Sequence, residues 1–494
     1  MKMNYPMKHH ILLLLSLLAV FASCGDDLAG TYSDFTDGKP FHYAGKVKNV
    51  TVNPGWQCLR ATWTLSADPA VKNILVTCAS ESDTIRQTLD PTATSCKIEN
   101  LANKDYTVTV QSLDTDGSLS LADGIVSRPY TYDHESVRAF TRGVSKVFLA
   151  KTHLLLVMGN WEDGIEDFHI SFTTTDGTET TKQLSQQDFA EKYIDLPSVD
   201  TSKPIVLHRT GRIEGCEDLI QFEDYTLTKE VLLNTDFASE MTERYGMSND
   251  DETGFAEKMQ SLDVDHSLYT LEDLLYFTNV KTVNLGKNRY FDGTHFAWPT
   301  VDQTAESKWA MEKMHEIYGT RFVVYGDSYL PGFAMSGLTR KAANTLPPLG
   351  YLSTTGWTIT NSESNNNNVY LSDLLDNNPL TTWSSWPAVS TARTMQLTID
   401  MKKENTVHGV KIVQNGNREN SGFQPAQVSL QYSVDGKSWS DLCHVVNVTL
   451  GTALGEATVV AAKSAAKARY LRLTVKELTY QGQTKVSLAD IAVY

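Results

Sequence analysis

The stretch "AQVSLQYSVDGKSW" (residues 426–439) shows how the C-terminal part of the chain is built. Its apolar residues Val428, Leu430 and Tyr432 alternate with polar ones, which is the period of a half-buried strand. The Asp435-Gly436 pair that follows is typical of a tight turn between two antiparallel strands. The stretch therefore predicts a β-hairpin with one face in a hydrophobic core.

Other stretches of the C-terminal part show the same alternation. They are "MQLTIDM" (395–401), "VHGVKIVQN" (407–415) and "ARYLRLTVKEL" (468–478). Because their connections are short, they predict an all-β sandwich or jelly roll. The segment "NTLPPLGYL" (344–352) has the Pro and Gly content of a domain boundary, and we place this domain at 346–494.

Four motifs in this domain resemble the F5/8 type C, or discoidin-like, family, which includes the family-32 carbohydrate-binding modules. In order they are "LLDNNPLTTWSSW" (374–386), "QYSVDGKSW" (431–439), "ARYLRLTV" (468–475) and "SLADIAVY" (487–494). The resemblance covers essentially all of residues 351–494. It implies a jelly roll with adjacent terminal strands, a buried Trp383 and ligand-binding loops at one end.

The same resemblance implies a structural calcium ion in the loop that begins at Asp376. Asp376, Asn378, Thr381 and the late acid Asp490 match the family's ligands, and hard oxygen donors suit calcium better than zinc. Asn377 stands where the family has glycine, and Asp490 where glutamate is commoner, so we expect a weaker site. Alternatively, the loop is a structural turn capped by Asp376.

A sugar site needs an aromatic face for the ring and planar polar groups for its hydroxyls. The loop "QNGNRENSGF" (414–423) and the family's second tryptophan supply such groups. The predicted ligand-binding residues are Trp386, Asn415, Asn417, Arg418 and Phe423. Against this reading, the family's usual arginine is replaced by Gln414 or Asn415, and exposed residues of these types are common in loops without any ligand.

The N-terminus has the features of an export signal. Lys2 and Lys8 precede an apolar segment, Ile11 to Phe21, that is too short to span a bilayer. The order Phe-Ala-Ser-Cys at residues 21–24 resembles a bacterial lipobox, in which the cysteine becomes the lipidated N-terminus. We therefore predict a signal peptide over 1–23 with a lipid on Cys24; a plain secretory cleavage site is the alternative.

Lipidation would make the protein membrane-anchored rather than membrane-spanning. The residues Gly25-Asp26-Asp27 resemble the export tag that Bacteroidota lipoproteins use to reach the outer face of the outer membrane. The predicted location is thus the outer membrane, facing the cell exterior, with residues 24–44 as an anchor linker.

Two sets of alternating segments follow the linker. The first includes "CLRATWTL" (58–65) and "DYTVTVQSLDTDGS" (105–118), and the second "HLLLVMGNW" (153–161) and "DFHISFTTTDGTE" (167–179). Strands of this length, with turn signals roughly every ten residues, predict β-sandwiches of about a hundred residues. We expect two immunoglobulin- or fibronectin-like sandwiches, at 45–134 and 135–232.

The segment "DFTDGKPFHYAGKVKNVTVNPGWQCLRATWTLSADPAVKNILV" (34–76) resembles a Bacteroidota domain family of unknown function, number 4998. The likeness continues more loosely through "VLHRTGRIEGCEDLIQFEDY" (206–225). It implies a secreted lipoprotein with fibronectin-like sandwiches and carries no known catalytic position.

Residues 233–345 no longer show mainly the alternation of β-strands. "ESKWAMEKMHEIYG" (306–319) has helical spacing, with an apolar stripe typical of a core. Val280, Val283, Leu285 and Asn288 fit the pattern of one leucine-rich repeat. Because one repeat cannot bury its own face, we interpret it as a single βα turn on a small helical region that serves as spacer or dock.

Charge and cysteine content limit the function classes. The chain carries a net charge of −16, concentrated in residues 24–350, which would repel nucleic acid. The cysteines after Cys24 are an odd, scattered set without metal-ligand spacing. Buried free thiols are therefore the expectation for Cys58, Cys78, Cys96, Cys216 and Cys443.

No catalytic motif was found: the sequence has no H-E-x-x-H, G-x-S-x-G, P-loop or CxxC. The acid pairs Asp263/Asp265 and Glu272/Asp273 are expected to be solvated surface. The prediction is a mainly β, non-catalytic surface lipoprotein that binds a glycan or polysaccharide near neighbouring glycan-uptake proteins. The alternatives are a protein-binding adhesin or assembly partner, or an accessory subunit of a surface glycan-degrading complex.

Overall fold

The computed structural model describes residues 44–140, 142–291, 295–342, 348–363, 370–385 and 391–494. The described chain is mainly β, as predicted, and divides into two compact units. The first unit comprises the residues up to Gly143 together with Asn160–Ile170 and Leu207–Tyr225. The second comprises Val144–Gly159, Ser171–Val206 and Thr226–Tyr494.

The first seven strands form two sheets that face each other across a core. The strands are β1 (Lys48–Gly55), β2 (Cys58–Thr64), β3 (Val71–Ala79), β4 (Thr84–Leu89), β5 (Ser95–Ile98), β6 (Tyr106–Asp114) and β7 (Gly124–Ser127). The sheet orders are β1-β2-β5 and β4-β3-β6-β7. Leu59 and Ile98 of one sheet and Val76 and Val108 of the other are buried in the same core. The alternation in the sequence thus correctly indicated a two-layer structure.

The next set of strands repeats this order. The elements are α1 (Glu135–Ala139), β8 (Val144–Ala150), β9 (His153–Met158), β10 (Ile165–Thr173), β11 (Glu179–Gln183), α2 (Gln186–Glu191), β12 (Tyr193–Leu196), β13 (Val206–Gly211), β14 (Ile220–Gln221) and β15 (Tyr225–Thr226). The sheets are β12-β9-β8 and β11-β10-β13-β14, with β15 also on β13. Both sets therefore connect their strands in the same sequence; an immunoglobulin- or fibronectin-like identity stays a prediction.

The following region is a parallel α/β structure. Its elements are α3 (Thr235–Tyr245), α4 (Glu252–Lys258), β16 (Ser261–Val264), β17 (Thr282–Leu285), β18 (Arg289–Phe291), β19 (His295–Phe296), α5 (Thr304–Tyr318), β20 (Arg321–Tyr325) and β21 (Leu338–Lys341). The strands β16-β17-β20-β21 form one sheet in which every pairing is parallel.

This sheet corrects the interpretation of a single repeat-like turn. The leucine-rich repeat pattern correctly indicated strand β17, but three other strands belong to the same sheet. They escaped detection because each is short and their spacing along the chain is irregular, so no repeat period links them. The neighbouring strands supply the partners that one repeat lacks.

One core joins the α/β region to the strands before it. Met311, Met314 and Ile317 of α5 are buried there, as the helical stripe predicted, together with Val283 of β17. Phe148 of β8 belongs to the same cluster. Residues on both sides of position 232 are thus packed as one body within the second unit.

Three of the four acids in these pairs, Asp265, Glu272 and Asp273, are buried rather than solvated, which corrects the expectation from the sequence. Asp265 is 2% exposed and Asp273 is fully buried. Asp273 Oδ1 lies 2.6 Å from the ammonium of Lys146, and Asp265 is paired with Arg244. A charge count cannot reveal such burial, because each partner comes from a distant part of the chain.

The C-terminal domain is built on two long strands. Its elements are β22 (Thr358–Asn361), β23 (Trp383–Ser384), β24 (Thr394–Gln414), β25 (Gln427–Ser433), β26 (Ser440–Asp441), β27 (Val448–Thr449), β28 (Glu456–Lys476), β29 (Leu478–Tyr480), β30 (Gln483–Lys485) and β31 (Ser487–Val493). β24 pairs antiparallel with β28 from Thr394↔Lys476 to Val413↔Ala457. The predicted hairpin is present as β25 and β26, and Trp383 is fully buried as expected.

A strand from the α/β region extends this sheet. β18 pairs antiparallel with the start of β28, with Arg289 opposite Thr458 and Phe291 opposite Glu456. Arg289 Nε donates a 2.6 Å hydrogen bond to Glu456 Oε1, and Glu456 is 1% exposed. The C-terminal sheet therefore includes a strand that precedes residue 346, and a buried ion pair fixes it.

We predict that Arg289→Ala lowers the free energy of unfolding by about 3 kcal/mol, because it leaves the Glu456 carboxylate buried without its partner. Urea unfolding of the full chain measures this change. As a control, Lys258→Ala removes an exposed partner of Asp251 and should change stability by less than about 0.5 kcal/mol. Equal effects of the two substitutions would show that β18 is not held by this pair.

Candidate functional site

Two loops meet at one end of the C-terminal domain. The first, residues 415–425, follows β24, and the second is the hairpin of β29 and β30. The amide of Ser487 donates to the Phe423 carbonyl at 3.1 Å, and the ring centroids of Phe423 and Tyr480 are 5.9 Å apart in an edge-to-face arrangement. We call this pair of loops the loop end of the domain.

Two of the predicted sugar-binding residues are buried in this arrangement. Asn415 is fully buried and Phe423 is 4% exposed. Asn415 Oδ1 accepts from the Asn417 amide at 2.9 Å, and its Nδ2 donates to the Asn417 carbonyl at 3.1 Å. Both polar atoms of the Asn415 side chain are thus hydrogen-bonded to the backbone of the loop. Asn415 therefore stabilises the loop conformation instead of presenting an amide to a ligand.

Phe423 is covered by the hairpin. Tyr480 contacts it from one side, and the ammonium of Lys485 lies 4.6 Å from its ring centroid. Phe423 was predicted as a ligand-binding residue, but its buried ring is not accessible for stacking against a sugar. Burial of its ring against a segment more than fifty residues away could not be inferred from the loop sequence alone.

Asn417 and Arg418 are exposed, as predicted. Asn417 Oδ1 accepts from the Glu419 amide at 3.0 Å and caps the short 3₁₀ turn Arg418–Asn420. Within the described ranges the Arg418 guanidinium makes no hydrogen bond, so its donors are available to a ligand. Trp386, the remaining predicted residue, lies outside the described residues.

Tyr480 is an exposed aromatic residue that the sequence analysis missed. Its side chain is 43% exposed, and one face of its ring lies against Gly422, where a Cβ would come within 2.5 Å of the ring. The sequence feature that could have indicated Tyr480 is its position directly before Gln481-Gly482. In the structure these two residues have φ of 48° and 75°. Positive φ at both positions is typical of a two-residue hairpin turn, but Gln-Gly is an uncommon pair for it.

A buried carboxylate organises the base of the loop end. Glu477 Oε1 accepts from Ser385 Oγ at 2.6 Å, and its Oε2 accepts from the Arg393 amide at 2.9 Å. The Arg393 guanidinium adds bonds to both oxygens, at 2.6 and 2.9 Å. Ser385 and Arg393 are thereby held together on one carboxylate. Burial alone would raise the pKa of Glu477, but the hydrogen bonds from Arg393 and Ser385 outweigh it and lower this pKa.

The predicted calcium loop is compact. Asp376 Oδ1 accepts from the Asn378 amide and its Oδ2 from the Thr381 hydroxyl, both at 2.8 Å. Thr381 Oγ1 is also 2.7 Å from the Asn378 carbonyl oxygen. Asn377 has a φ of 58°, so it adopts the left-handed conformation that lets it replace glycine. Three of the four predicted ligands therefore lie together.

The fourth predicted ligand, Asp490, is on β31 and is 1% exposed. Its Oδ1 is buried without a hydrogen-bond partner among the described residues, and its Oδ2 lies 3.5 Å from Lys411 Nζ. Burial raises the pKa of Asp490, Lys411 opposes this rise, and the charge of Asp376 adds to it. The orphaned Oδ1 of Asp490 is compatible with a hard cation, while Lys411 partly supplies the positive charge.

Other metal chemistry has no support in the geometry. Within the described part of the chain, no three His, Cys, Asp or Glu side chains are grouped as a metal site. The predicted calcium loop is of a different kind, because the oxygen atoms of a hydroxyl and a carbonyl would be among its ligands. The five cysteines after Cys24 are free and buried, as predicted.

Residues 358–490 match the family described as the F5/8 type C domain. The C-terminal part is thus an F5/8 type C domain. Residues 24–242 match DUF4998, a domain of unknown function. A search of the curated proteins finds no match.

Solved structures of low identity resemble the F5/8 type C domain. The Clostridium perfringens domain CpGH89CBM32-5, in complex with GalNAc-β-1,3-galactose, is 13% identical; the match covers 29% of this chain and 99% of that one, with a TM-score of 0.23. The family 32 module of C. perfringens NanJ, in complex with galactose, is 15% identical, with coverages of 29% and 96% and a TM-score of 0.25. The C-terminal domain of a Bacteroides fragilis chitobiase is 22% identical, with coverages of 29% and 96% and a TM-score of 0.23.

None of the helices in the described residues is long and apolar enough to cross a membrane. Cys24 and the segment before it, on which the predicted lipid anchor depends, lie outside those residues.

We predict that Glu477→Gln destabilises the F5/8 type C domain by about 2 kcal/mol at pH 7, because it breaks a buried ion pair while keeping the shape of the side chain. The lowered pKa of Glu477 makes its contribution fully present above the unfolded value of about 4.3. The contribution is lost as the pH falls through the lower folded value. The difference in unfolding free energy between wild type and variant should therefore shrink below about pH 4.

Denaturant unfolding at several pH values measures this difference, with the exposed Glu404→Gln as a matched control. A destabilisation that is the same at pH 3 and pH 7 would contradict the assigned role of Glu477.

Proposed function

We propose that this protein is a surface lipoprotein that binds carbohydrate through its F5/8 type C domain and performs no catalysis. Its support is the F5/8 type C match over residues 358–490, since this family includes carbohydrate-binding modules. The observation that carries the proposal is the exposed Tyr480 ring at the same loop end as the Arg418 guanidinium, which has no hydrogen-bond partner among the described residues.

The chemistry of these two groups suits a sugar. The C–H face of a pyranose ring stacks on an aromatic ring, and Tyr480, one face of which lies on Gly422, is 43% exposed. The planar donors of Arg418 can bond two neighbouring hydroxyls. Asn417 adds an exposed amide beside Arg418. Together they replace the buried Phe423, which the sequence predicted as a ligand-binding residue.

The proposed location follows from the N-terminal sequence. A lipid on Cys24 would anchor the chain in the outer membrane, and the acidic residues after it favour the exterior face. The anchor and the F5/8 type C domain then lie at opposite ends of the sequence, with the sheets of residues 48–341 between them. Such a protein would hold a glycan or polysaccharide close to neighbouring surface proteins of glycan uptake.

We predict that Tyr480→Ala and Arg418→Ala each weaken glycan binding by about tenfold or more, because each removes one contact worth roughly 1.4 kcal/mol or more. A glycan array identifies the bound sugar, and isothermal titration of the full chain measures the affinity. Tyr132→Ala, which removes a tyrosine of similar exposure (44%) outside the domain, should leave binding unchanged.

Two results would contradict the proposal. The first is that no glycan binds the full chain, and the second is that binding persists unchanged in both variants. Retention of a protein partner by a chain that binds no glycan would favour the adhesin or assembly alternative instead.

We further propose a structural calcium ion held by Asp376, Asn378, Thr381 and Asp490. Calcium would supply the positive charge that the buried Asp490 oxygen lacks. The ion would have a structural role in the domain. At a concentration one hundred times its dissociation constant, a bound ion stabilises the folded state by about 2.7 kcal/mol. We expect calcium to raise the melting temperature of the wild type relative to a chelator.

Asp490→Asn should abolish this increase, whereas Asp302→Asn, an exposed control, should keep it. A wild-type melting temperature that is the same in calcium and in chelator would contradict the calcium proposal and would leave Lys411 as the partner of Asp490.

A further inference from the structure

A cavity of about 400 Å³ lies within the second compact unit. Helix α3 and the residues after β16 form one wall, and β27 and the start of β28 form the other. Known small-molecule sites occupy roughly 300–1,000 Å³ and often lie where two parts of a fold meet. The volume and the position are therefore those of a ligand site.

The first wall is polar and carries both signs of charge. Its basic side chains are Arg244, His266 and Arg289, and its carboxylates are Asp236, Glu243 and Asp265. Burial lowers the pKa of His266, but the charges of Glu240 and Glu243 outweigh it and raise this pKa overall, which favours the cationic imidazolium.

These charges already have partners inside the protein. Arg244 is paired with Asp265, and His266 Nε2 lies 3.6 Å from Glu243 Oε1. Arg289 is held by Glu456, and Asp236 accepts from two backbone amides, those of Phe237 and Tyr269. Because Arg244, His266 and Arg289 each already face a carboxylate, an anionic ligand would bring an uncompensated charge into a partly buried space, which is costly.

Hydrogen-bonding capacity nevertheless remains on this wall. Arg244 Nε is buried and has no partner among the described residues. Glu243 Oε1 accepts from the Thr449 amide at 2.9 Å, while no donor in the described chain reaches its second oxygen. Ser239 adds an exposed hydroxyl at the edge of the cavity. The wall thus keeps both a donor and acceptors that a ligand could use.

The opposite wall is more apolar, although Thr449, Thr452 and Thr458 also line it. Val448, Leu450, Val460 and Ala461 line it, and Leu450 and Val460 are 4% and 8% exposed. A ligand that fits both walls has one apolar face and an edge of donors and acceptors. Sugar rings and related polyols have this combination without a net charge.

We propose that this cavity is a second binding site, for a neutral, hydroxyl-rich ligand of monosaccharide or disaccharide size. It is separate from the loop end and would give the chain two points of attachment to glycan-like molecules. The proposal does not depend on binding at the loop end, because no residue of the loops 415–425 or 478–485 lines the cavity.

The test uses the full chain carrying Tyr480→Ala and Arg418→Ala, so that the loop end is disabled. Saturation-transfer NMR with galactose, glucose, N-acetylglucosamine, lactose and maltose probes neutral ligands, and glucuronic acid and glucosamine are the charged counterparts. We expect at least one neutral sugar to bind, and its charged counterparts to bind at least about tenfold more weakly.

Adding Ser239→Trp should fill the cavity and weaken that binding by about tenfold or more. Ser239 is exposed on α3, so the fold should tolerate the change. Ala426→Trp blocks the cavity from the opposite side at another exposed position and serves as a second variant if the first is unstable. Thr235→Trp, an exposed change on α3 outside the cavity, is the matched control.

Three results would overturn the proposal: no neutral sugar binds the disabled chain, a charged counterpart binds as tightly, or a folded cavity-filling variant retains full affinity. Failure of the loop-end proposal has a different signature, because it would appear as glycan binding that stays unchanged when Tyr480→Ala and Arg418→Ala are introduced into a chain whose cavity is filled by Ser239→Trp.

Discussion

The antiparallel pairing of β24 with β28 is the constraint on which the rest of the second unit depends. Each strand has 21 residues, and alternate side chains such as Leu471, Leu473 and Val475 are buried on one face. The second edge of β28 carries β18 at its start and β25 near its end. One strand thereby fixes the α/β region, the cavity and the core of the C-terminal domain relative to one another.

Buried carboxylates mark both ends of β28. Glu456 begins the strand and is bonded to Arg289, whereas Glu477 directly follows it and is bonded to Arg393. In each case a charge that would be costly without its partner is satisfied by an arginine from another part of the chain. These pairs specify position: the first holds β18 beside the cavity, and the second joins Ser385 to Arg393 at the base of the loop end.

Much of this architecture could be predicted because its signals are local. Alternating residues indicated the strands, Asp435-Gly436 indicated the hairpin, and Asn377 was compatible with a positive φ. The errors concern contacts between distant segments. Phe423 is buried by Tyr480, and Asp273 is buried with Lys146, so neither position could be inferred from neighbouring residues. The parallel sheet was missed because only one of its strands carried the repeat pattern.

The central claim is that the loop end of the F5/8 type C domain binds carbohydrate. Amide chemical-shift mapping of the isotope-labelled full chain, titrated with a glycan that the array identifies, tests it most directly. The expected shifts cluster in residues 415–425 and 478–485 and saturate with one affinity. An absence of shifts in both loops at a glycan concentration that saturates the protein would contradict the claim.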